Sequence, residues 1–152
     1  MEIQRTIRVI LADDHPMVRR GIRRILEKCL DFAVVGEADT GIAAIRLVQE
    51  LKPDVLLLDI EMPDMKGDQV ALQLRKLNFP VSIVVFSACD DPHFIQEMLQ
   101  VGVDGYLTKD KTPEEIRQTV YQVSNNYAKK NPAQSAANSF FTFAKILANF
   151  IR

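Results

Sequence analysis

The sequence predicts an α/β protein with a five-stranded parallel sheet that is doubly wound, with helices on both of its faces. Short apolar runs rich in β-branched residues alternate with five segments whose apolar residues recur at helical spacing. Elements that alternate in this order join through right-handed βαβ crossovers, which produce a parallel sheet. The runs at residues 55–58 and 83–86 are apolar without alternation, as expected of central strands buried on both faces.

The predicted strands cover residues 7–12, 33–37, 55–58, 82–86 and 105–107. A first helix has an apolar face between Val18 and Cys29, and a second covers residues 41–51 and turns Ile42 inward. A third helix follows Gly67, and a fourth covers residues 92–101. The fifth follows Thr112, a suitable N-cap because a proline and two glutamates come next. The opposite face of the first helix is basic and carries Arg19, Arg20, Arg23 and Arg24.

The composition excludes several classes of protein. With 152 residues, the chain can form one compact domain and a short extension. Its 19 basic and 20 acidic residues nearly cancel, so net charge does not indicate a nucleic-acid partner. Cys29 and Cys89 form no C-x-x-C pair, which argues against a zinc site and suits the reducing cytoplasm. We expect no membrane association, because no signal segment and no spanning apolar run is present.

Polar side chains follow four of the five predicted strands. Asp13 and Asp14 come after the first strand, Asp59 after the third, Ser87 after the fourth, and Lys109 shortly after the fifth. Parallel strands bring their carboxyl ends to one edge of the sheet, where open α/β sheets bind ligands. The sequence therefore predicts one site with three carboxylates, a hydroxyl and an ammonium group. Any one of these residues alone is more often a turn residue or a helix cap.

This set of side chains suits phosphoryl chemistry with a metal ion. Three clustered carboxylates repel one another, and a divalent cation relieves the repulsion. Oxygen ligands without histidine or cysteine suit Mg²⁺ or Mn²⁺. Asp59 is the natural nucleophile, because a carboxylate can form an acyl phosphate. Lys109 can act as a point charge on the phosphoryl group, and Ser87 can donate a hydrogen bond to it.

Four motifs are similar to those of the response-regulator receiver family: LADDHP at residues 11–16, DVLLLDIEMP at 54–63, VFSA at 85–88 and GVDGYLTK at 102–109. The resemblance covers about residues 7–127 and implies the flavodoxin-like fold of five strand–helix repeats. The first motif and the pair formed by Lys109 and Asp110 resemble the NarL/FixJ-like branch. Because Asp110 stands where many receivers have proline, we expect no cis peptide bond there.

The resemblance implies that Asp59 accepts a phosphoryl group from a histidine kinase or a phosphotransfer protein. It also implies that Asp14 and Asp59 ligate Mg²⁺ directly with the backbone carbonyl of Glu61, and that Asp13 acts through a water molecule. His15 is then a residue of the rim and not a phosphohistidine. The chain is expected to be a switch that catalyses only its own phosphorylation and dephosphorylation, and is otherwise not an enzyme.

The resemblance also assigns the groups that hold the phosphoryl oxygens, which are Lys109, Ser87 and the backbone N–H of Ala88. It makes Tyr106 the switch aromatic, which turns inward when Ser87 moves toward the phosphoryl group. From the sequence alone, a half-exposed aromatic residue of a strand is an equally good interpretation of Tyr106. The basic face of the first helix lies beside the kinase-docking surface of receivers, but a merely solvated helix face is equally consistent with it.

The C-terminal residues depart from the family pattern. Residues 128–138 are polar and predict a linker, and residues 139–152 predict an amphipathic helix with a narrow polar stripe. Such a helix is expected to pack on an outer helical face or on a second copy of the chain, which would give a homodimer, rather than on a membrane. The alternative is a frayed end that would pack on a missing output domain. We expect no output domain within these residues, and no feature of this segment indicates that it binds nucleic acid.

Two interpretations of the whole protein are open. The resemblance favours the N-terminal part of a LuxR-type transcription regulator, with residues 1–127 as its receiver. The alternative is a stand-alone receiver that acts in a phosphorelay or by binding proteins. A phosphatase that uses an aspartyl phosphate on external substrates needs a cap over the site, whereas the chain after Asp59 leads directly into the third helix. The complete set of site residues argues against a purely structural receiver.

Overall fold

The computed structural model describes residues 5–125, in which five strands alternate with five helices. The strands are β1 (Ile7–Ala12), β2 (Phe32–Ala38), β3 (Val55–Leu58), β4 (Ser82–Ser87) and β5 (Gly105–Thr108). The helices are α1 (Pro16–Glu27), α2 (Gly41–Leu51), α3 (Gly67–Lys76), α4 (Pro92–Val101) and α5 (Pro113–Ser124). This order confirms the predicted α/β class, and every predicted strand ends within one residue of its observed limits.

The five strands are parallel and lie in the order β2-β1-β3-β4-β5, which is that of the flavodoxin-like sheet. Ala12 of β1 is opposite Leu58 of β3, and Leu58 is opposite Val85 of β4. Ser87 is opposite Thr108 of β5. The strands that precede the predicted site residues therefore end close to one another at a single edge of the sheet.

Helices cover both faces of the sheet, so two apolar cores form. On one face, α1 and α5 contribute the buried residues Ile22, Leu26, Ile116, Val120 and Val123. On the other face, α2, α3 and α4 contribute Ala44, Val48, Val70, Ala71, Leu74, Ile95, Met98 and Leu99. All four residues of β3 are buried, which accounts for its uninterrupted apolar sequence.

The start of α5 follows its local sequence as predicted. The Thr112 hydroxyl accepts a hydrogen bond from the Glu115 N–H, and the Glu115 carboxylate accepts one from the Thr112 N–H. These two bonds form a capping box, and Pro113 occupies the first turn, where its missing N–H costs nothing. The Ser82 hydroxyl donates to the Val123 carbonyl at 2.9 Å and so joins β4 to the end of α5.

One detail of the predicted packing is wrong. Ile42 was expected to face inward but is exposed, because α2 packs through Gly41, Ala44 and Val48. No peptide bond among residues 5–125 is cis, including the bond before Asp110. None of the helices in the same residues is long and apolar enough to cross a membrane. The predicted linker at residues 128–138 and the predicted helix at residues 139–152 lie outside the described residues.

Candidate functional site

The acidic residues predicted from the strand ends converge at the carboxyl edge of the sheet. Asp13 and Asp59 are 5% and 3% exposed, whereas Asp14 is more accessible to solvent. Together with His15, each of them offers one ligand atom, and these atoms all lie within 4.8 Å of one another. The Asp59 N–H donates to the Ala12 carbonyl at 2.8 Å, which fixes the ends of β1 and β3 side by side. This donor set is compact enough to hold a divalent cation.

One carboxylate oxygen of Asp59 accepts a hydrogen bond, and the other has none among the described residues. Its Oδ1 accepts a hydrogen bond from the Ile60 N–H at 2.9 Å. Among the residues that the structure describes, its Oδ2 is the one buried side-chain nitrogen or oxygen atom without a hydrogen bond. Burial raises the pKa of Asp59, the charge of Asp13 raises it further, and Lys109 lowers it. The unbonded oxygen is therefore available to a cation or an electrophile.

Lys109 lies beside both buried carboxylates, as the sequence predicted. Its Nζ is 3.3 Å from Oδ2 of Asp13 and 3.5 Å from Oδ2 of Asp59. The second distance suits an ion pair but is too long for a good hydrogen bond. The ammonium also lies 5.8 Å from the centroid of the Phe86 ring. Because the Lys109 N–H donates to the Ser87 carbonyl at 3.0 Å, the chain after β5 is tied to the end of β4.

The other predicted ligand groups lie at the end of β4 and in the loops at the same edge of the sheet. Ser87 is buried at the end of β4, and its hydroxyl accepts a hydrogen bond from the Cys89 N–H at 3.1 Å. Ala88 follows in an exposed loop, and Glu61 lies in the exposed loop after β3. Their contacts with a phosphoryl group or a metal ion stay predictions.

The loop after β3 is fixed to two helices. Asp64, with a left-handed φ of 66°, accepts hydrogen bonds from the Gly41 N–H at 2.9 Å and the Ile42 N–H at 3.3 Å. Gly67 begins α3 so close to Asp59 that a Cβ atom there would lie 2.3 Å from the Asp59 carbonyl oxygen. Only glycine permits this approach, so the backbone of Asp59 lies directly against the start of α3.

Tyr106 is an inward-facing residue of β5. Only 4% of its surface is exposed, and its hydroxyl donates to the Cys89 carbonyl at 2.6 Å. Its ring contacts Phe94 edge to face with 6.3 Å between centroids, and burial raises the pKa of its hydroxyl. The half-exposed interpretation of Tyr106 is therefore wrong. Because Cys89 also donates to Ser87, the ring and the Ser87 hydroxyl are connected through one loop.

His15 is part of the acidic cluster, which the sequence interpretation as a rim residue missed. Its Nδ1 lies 2.9 Å from Oδ1 of Asp13 and 2.9 Å from Oδ1 of Asp14. The hydrogen bond with Asp13 raises the pKa of His15, and the charge of Asp14 adds to this effect. The group of possible ligand atoms thus includes a histidine, which the predicted donor set did not contain. The signal was the direct succession of Asp13, Asp14 and His15, which places the ring within reach of both acids.

The basic face of α1 divides into two parts. The Arg19 guanidinium donates to the Asp13 carbonyl and to Glu37 Oε1, the latter at 3.2 Å, so it supports the backbone of the acidic cluster. Arg23 forms ion pairs with Glu27 and Glu37. Arg20 and Arg24 are exposed. Arg19 is therefore a structural neighbour of the site, which its helical periodicity alone did not reveal.

The chain is similar to known response regulators along most of its length. The family model described as response regulator receiver domain matches residues 9–121. The nitrate/nitrite response regulator protein NarL of Escherichia coli is 38% identical over 124 residues, which are 82% of this chain and 57% of that protein. Response regulator GacA of Pseudomonas aeruginosa is 36% identical over 137 residues, or 89% of this chain and 64% of that protein. The chain thus spans less than two thirds of the length of these curated relatives.

Solved structures agree with these matches. A two-component response regulator of the LuxR family from an Aurantimonas species has a TM-score of 0.75 at 33% identity, over 78% of this chain and 85% of that one. The isolated REC domain of RcsB from Salmonella enterica serovar Typhimurium, solved with phosphomimetic BeF₃⁻, has a TM-score of 0.69 at 27% identity. It matches 78% of this chain and 98% of that one. The flavodoxin-like fold and the NarL-type resemblance predicted from the motifs are confirmed.

Proposed function

Because the chain belongs to the response regulator receiver domain family, we propose that Asp59 accepts a phosphoryl group and that the domain then changes conformation to control an output. The observation that carries this proposal is the state of the Asp59 carboxylate. Its Oδ2 is buried, has no hydrogen bond among the described residues, and lies 3.5 Å from the Lys109 ammonium. Most buried polar side-chain atoms in folded proteins are hydrogen-bonded, so an unbonded oxygen on a buried carboxylate suggests a role beyond the fold.

Asp14, Asp59 and the backbone carbonyl of Glu61 would hold a divalent cation, Mg²⁺ or Mn²⁺, with Asp13 acting through a water molecule. The unbonded oxygen of Asp59 and the solvent access at Asp14 fit such an ion, because Mg²⁺ binds oxygen ligands and keeps several waters. The ion, when bound, supplies positive charge next to the phosphoryl oxygens.

The phosphoryl group would come from a phosphohistidine of a histidine kinase or phosphotransfer protein. A carboxylate oxygen of Asp59 attacks the phosphorus, the P–N bond breaks, and its electron pair leaves with the imidazole, which takes up a proton. Lys109 would hold the phosphoryl oxygens together with the Ser87 hydroxyl and the Ala88 N–H. Lys109 also lowers the pKa of Asp59, which opposes the effect of burial and favours the ionised carboxylate.

The change in conformation would run from Ser87 to Tyr106. The Ser87 hydroxyl accepts a hydrogen bond from the Cys89 N–H, and the Cys89 carbonyl accepts one from the Tyr106 hydroxyl. A Ser87 side chain that moves toward a phosphoryl oxygen displaces this loop, and the Tyr106 hydroxyl must follow the carbonyl or lose its bond. The event at Asp59 thereby reaches the outer surface of β5 and α4.

The output is inferred from the relatives. RcsB of Salmonella enterica serovar Typhimurium, solved bound to promoter rprA, has a TM-score of 0.74 at 27% identity over 93% of this chain. By analogy, the chain would be the receiver part of a cytoplasmic, LuxR-type transcription regulator. Residues 128–138 would form the linker, and residues 139–152 would pack on an outer helical face or a second copy.

Labelling by a small phosphodonor tests the assignment of Asp59. The unmodified chain, Asp59→Asn and Asp39→Asn would each be incubated with acetyl phosphate and Mg²⁺ and weighed intact by mass spectrometry. Asp39 is a matched control, since it also follows a strand, β2, and is exposed. We expect the mass of one phosphoryl group on the unmodified chain and on Asp39→Asn, and none on Asp59→Asn. Equal labelling of Asp59→Asn would refute the assignment.

A further inference from the structure

His15 is placed like a ligand of the acidic cluster. Its Nδ1 is 2.9 Å from Oδ1 of Asp13 and 2.9 Å from Oδ1 of Asp14. Neighbouring ligand atoms of an octahedral ion with bonds of about 2.1 Å lie about 3.0 Å apart. The nitrogen therefore stands at the spacing of an adjacent ligand from both carboxylate oxygens.

The His15 side chain does not stabilise the helix at whose start it lies. His15 is the N-cap residue of α1, but its side chain makes no capping hydrogen bond. The ring is 59% exposed, so an ion can reach Nδ1 from solvent. Within the described residues, its side chain contacts the two acids, which orient the ring.

A second observation is that one buried oxygen of the cluster has no hydrogen bond within the described part of the chain. Asp59 belongs to the same group of ligand atoms, and its buried Oδ2 has no hydrogen bond among residues 5–125. Lys109 approaches this oxygen at 3.5 Å and Oδ2 of Asp13 at 3.3 Å, while His15 approaches Oδ1 of Asp13. The side of the cluster that faces His15 therefore combines one nitrogen with carboxylate oxygens.

We propose that His15 is a fourth protein ligand of this site, and that the site binds a nitrogen-preferring transition ion such as Co²⁺, Ni²⁺ or Zn²⁺ more tightly than Mg²⁺. Imidazole nitrogen strengthens binding of these ions, whereas Mg²⁺ prefers oxygen and gains little from it. The ion replaces one proton at Nδ1, which passes to solvent, and Nε2 keeps its own. The inference rests on the proposed function, because the same carboxylates hold the cation there.

Calorimetric titration of the full chain with Co²⁺ and with Mg²⁺ tests the proposal. In His15→Gln we expect Co²⁺ affinity to fall by at least about tenfold, the lower end of what losing a supporting group costs a metal site. Mg²⁺ affinity should change by less than about twofold, because Mg²⁺ gains little from the nitrogen. His93→Gln is the matched control, since His93 is the other histidine of the chain and is exposed. Cys89→Ser controls for the exposed thiol.

Nitrogen NMR of ¹⁵N-histidine-labelled chain identifies the ligand atom. On addition of Zn²⁺, the Nδ1 resonance of His15 should shift strongly while Nε2 keeps its proton. A shift at Nε2 instead, or unchanged Co²⁺ affinity in His15→Gln, overturns the inference. An equal loss of Mg²⁺ and Co²⁺ affinity also overturns it, since His15 would then only orient the acids.

A further variant separates this inference from the proposed function. Asp14→Asn should weaken Mg²⁺ and Co²⁺ alike. If Mg²⁺ fails to bind the unmodified chain, the proposed function loses its metal site, and Co²⁺ binding that depends on His15 would still support the inference. If Mg²⁺ binds and depends on Asp14 but Co²⁺ ignores His15, only the inference fails.

Discussion

Two buried aspartates lie at opposite edges of the same sheet, and their carboxylates differ in hydrogen bonding. Asp104 precedes β5 at the amino edge, and its Oδ2 accepts hydrogen bonds from the Arg75 guanidinium and the Ile83 N–H, both at 2.8 Å. Asp59 follows β3 at the carboxyl edge, is equally buried, and has one hydrogen bond from its neighbour Ile60. The Oδ2 of Asp104 thus accepts two hydrogen bonds, whereas the Oδ2 of Asp59 has none among the described residues.

The positively charged partners of these two aspartates also differ in how firmly they are fixed by hydrogen bonds. Arg75 also donates to the Gly102 carbonyl at 2.8 Å and to the Phe79 carbonyl at 3.2 Å, so its planar group is fixed by several elements. Lys109 carries a point charge that is shared between Asp13 and Asp59 at more than 3 Å. The pair formed by Arg75 and Asp104, fixed by several hydrogen bonds, suits a structural role, whereas the looser pair formed by Lys109 and Asp59 suits the chemistry proposed for Asp59.

Asp104→Asn should have the largest effect on stability. The change leaves the mostly buried Arg75 guanidinium without its counter-ion, which costs roughly 3 kcal/mol of unfolding free energy. Urea denaturation of both proteins would measure the loss from the shift in midpoint. Arg75→Met in the same background should cost little more, because the pair is already broken. A loss below about 1 kcal/mol would show that Asp104 is no more structural than an ordinary residue.

Asp59→Asn should change stability in the opposite direction. In the absence of metal at pH 7, it removes a buried charge that lacks a hydrogen bond, and we expect a gain on the order of 1 kcal/mol. Urea denaturation with and without Mg²⁺ would measure it, and Mg²⁺ should reduce the gain by stabilising the unmodified chain. A clear loss without metal would mean that the Asp59 carboxylate stabilises the fold, as that of Asp104 does.

The same variant has a defined pH dependence. Because the pKa of Asp59 is raised in the folded protein, the folded state binds this proton more tightly than the unfolded chain. The ionised carboxylate therefore costs stability above the folded-state pKa, and the cost disappears as the pH falls through it. The gap between Asp59→Asn and the unmodified chain should close on acidification from pH 7. A gap that widens would contradict the direction of this pKa shift.

Lys109→Met should have the smallest effect of the three substitutions. It keeps the apolar stem but removes the charge next to Asp13 and Asp59, so we expect a loss of about 0.5 kcal/mol at pH 7, as for a weak ion pair. The pKa of Asp59 should rise further. A double-mutant cycle with Asp59→Asn measures the coupling, which should be small beside that between Arg75 and Asp104.

The sequence predicted the strands and the Asp13, Asp59 and Lys109 group because local composition and strand ends determine both. β3 is apolar throughout since it is buried on both faces, and Thr112 predicts α5 through its own capping bonds. The pair formed by Arg75 and Asp104 was missed because the partners are 29 residues apart and meet only where the end of α3 approaches the turn between α4 and β5. Local patterns carry no information about such contacts.

Orientation was less predictable than position. A strand aromatic such as Tyr106 can face either way, and only its bond to the Cys89 carbonyl and its contact with Phe94 decide that it faces inward. Ile42 was placed inward from its apolar character, but α2 needs small residues where it approaches the loop after β3. The residues that the first turn of α2 buries are therefore determined by a tertiary contact, which helical periodicity cannot predict.

The bonds from Asp64 to α2 also affect local unfolding. The Gly41 and Ile42 amides at the start of α2 are satisfied by a side chain from the loop after β3. These amides are protected from solvent exchange only while that loop is folded. Conversely, the loop loses both hydrogen bonds when the first turn of α2 frays. The two segments therefore open together as one cooperative unit. A group on Asp59 that stiffens the loop would slow amide exchange in a helix that it does not touch.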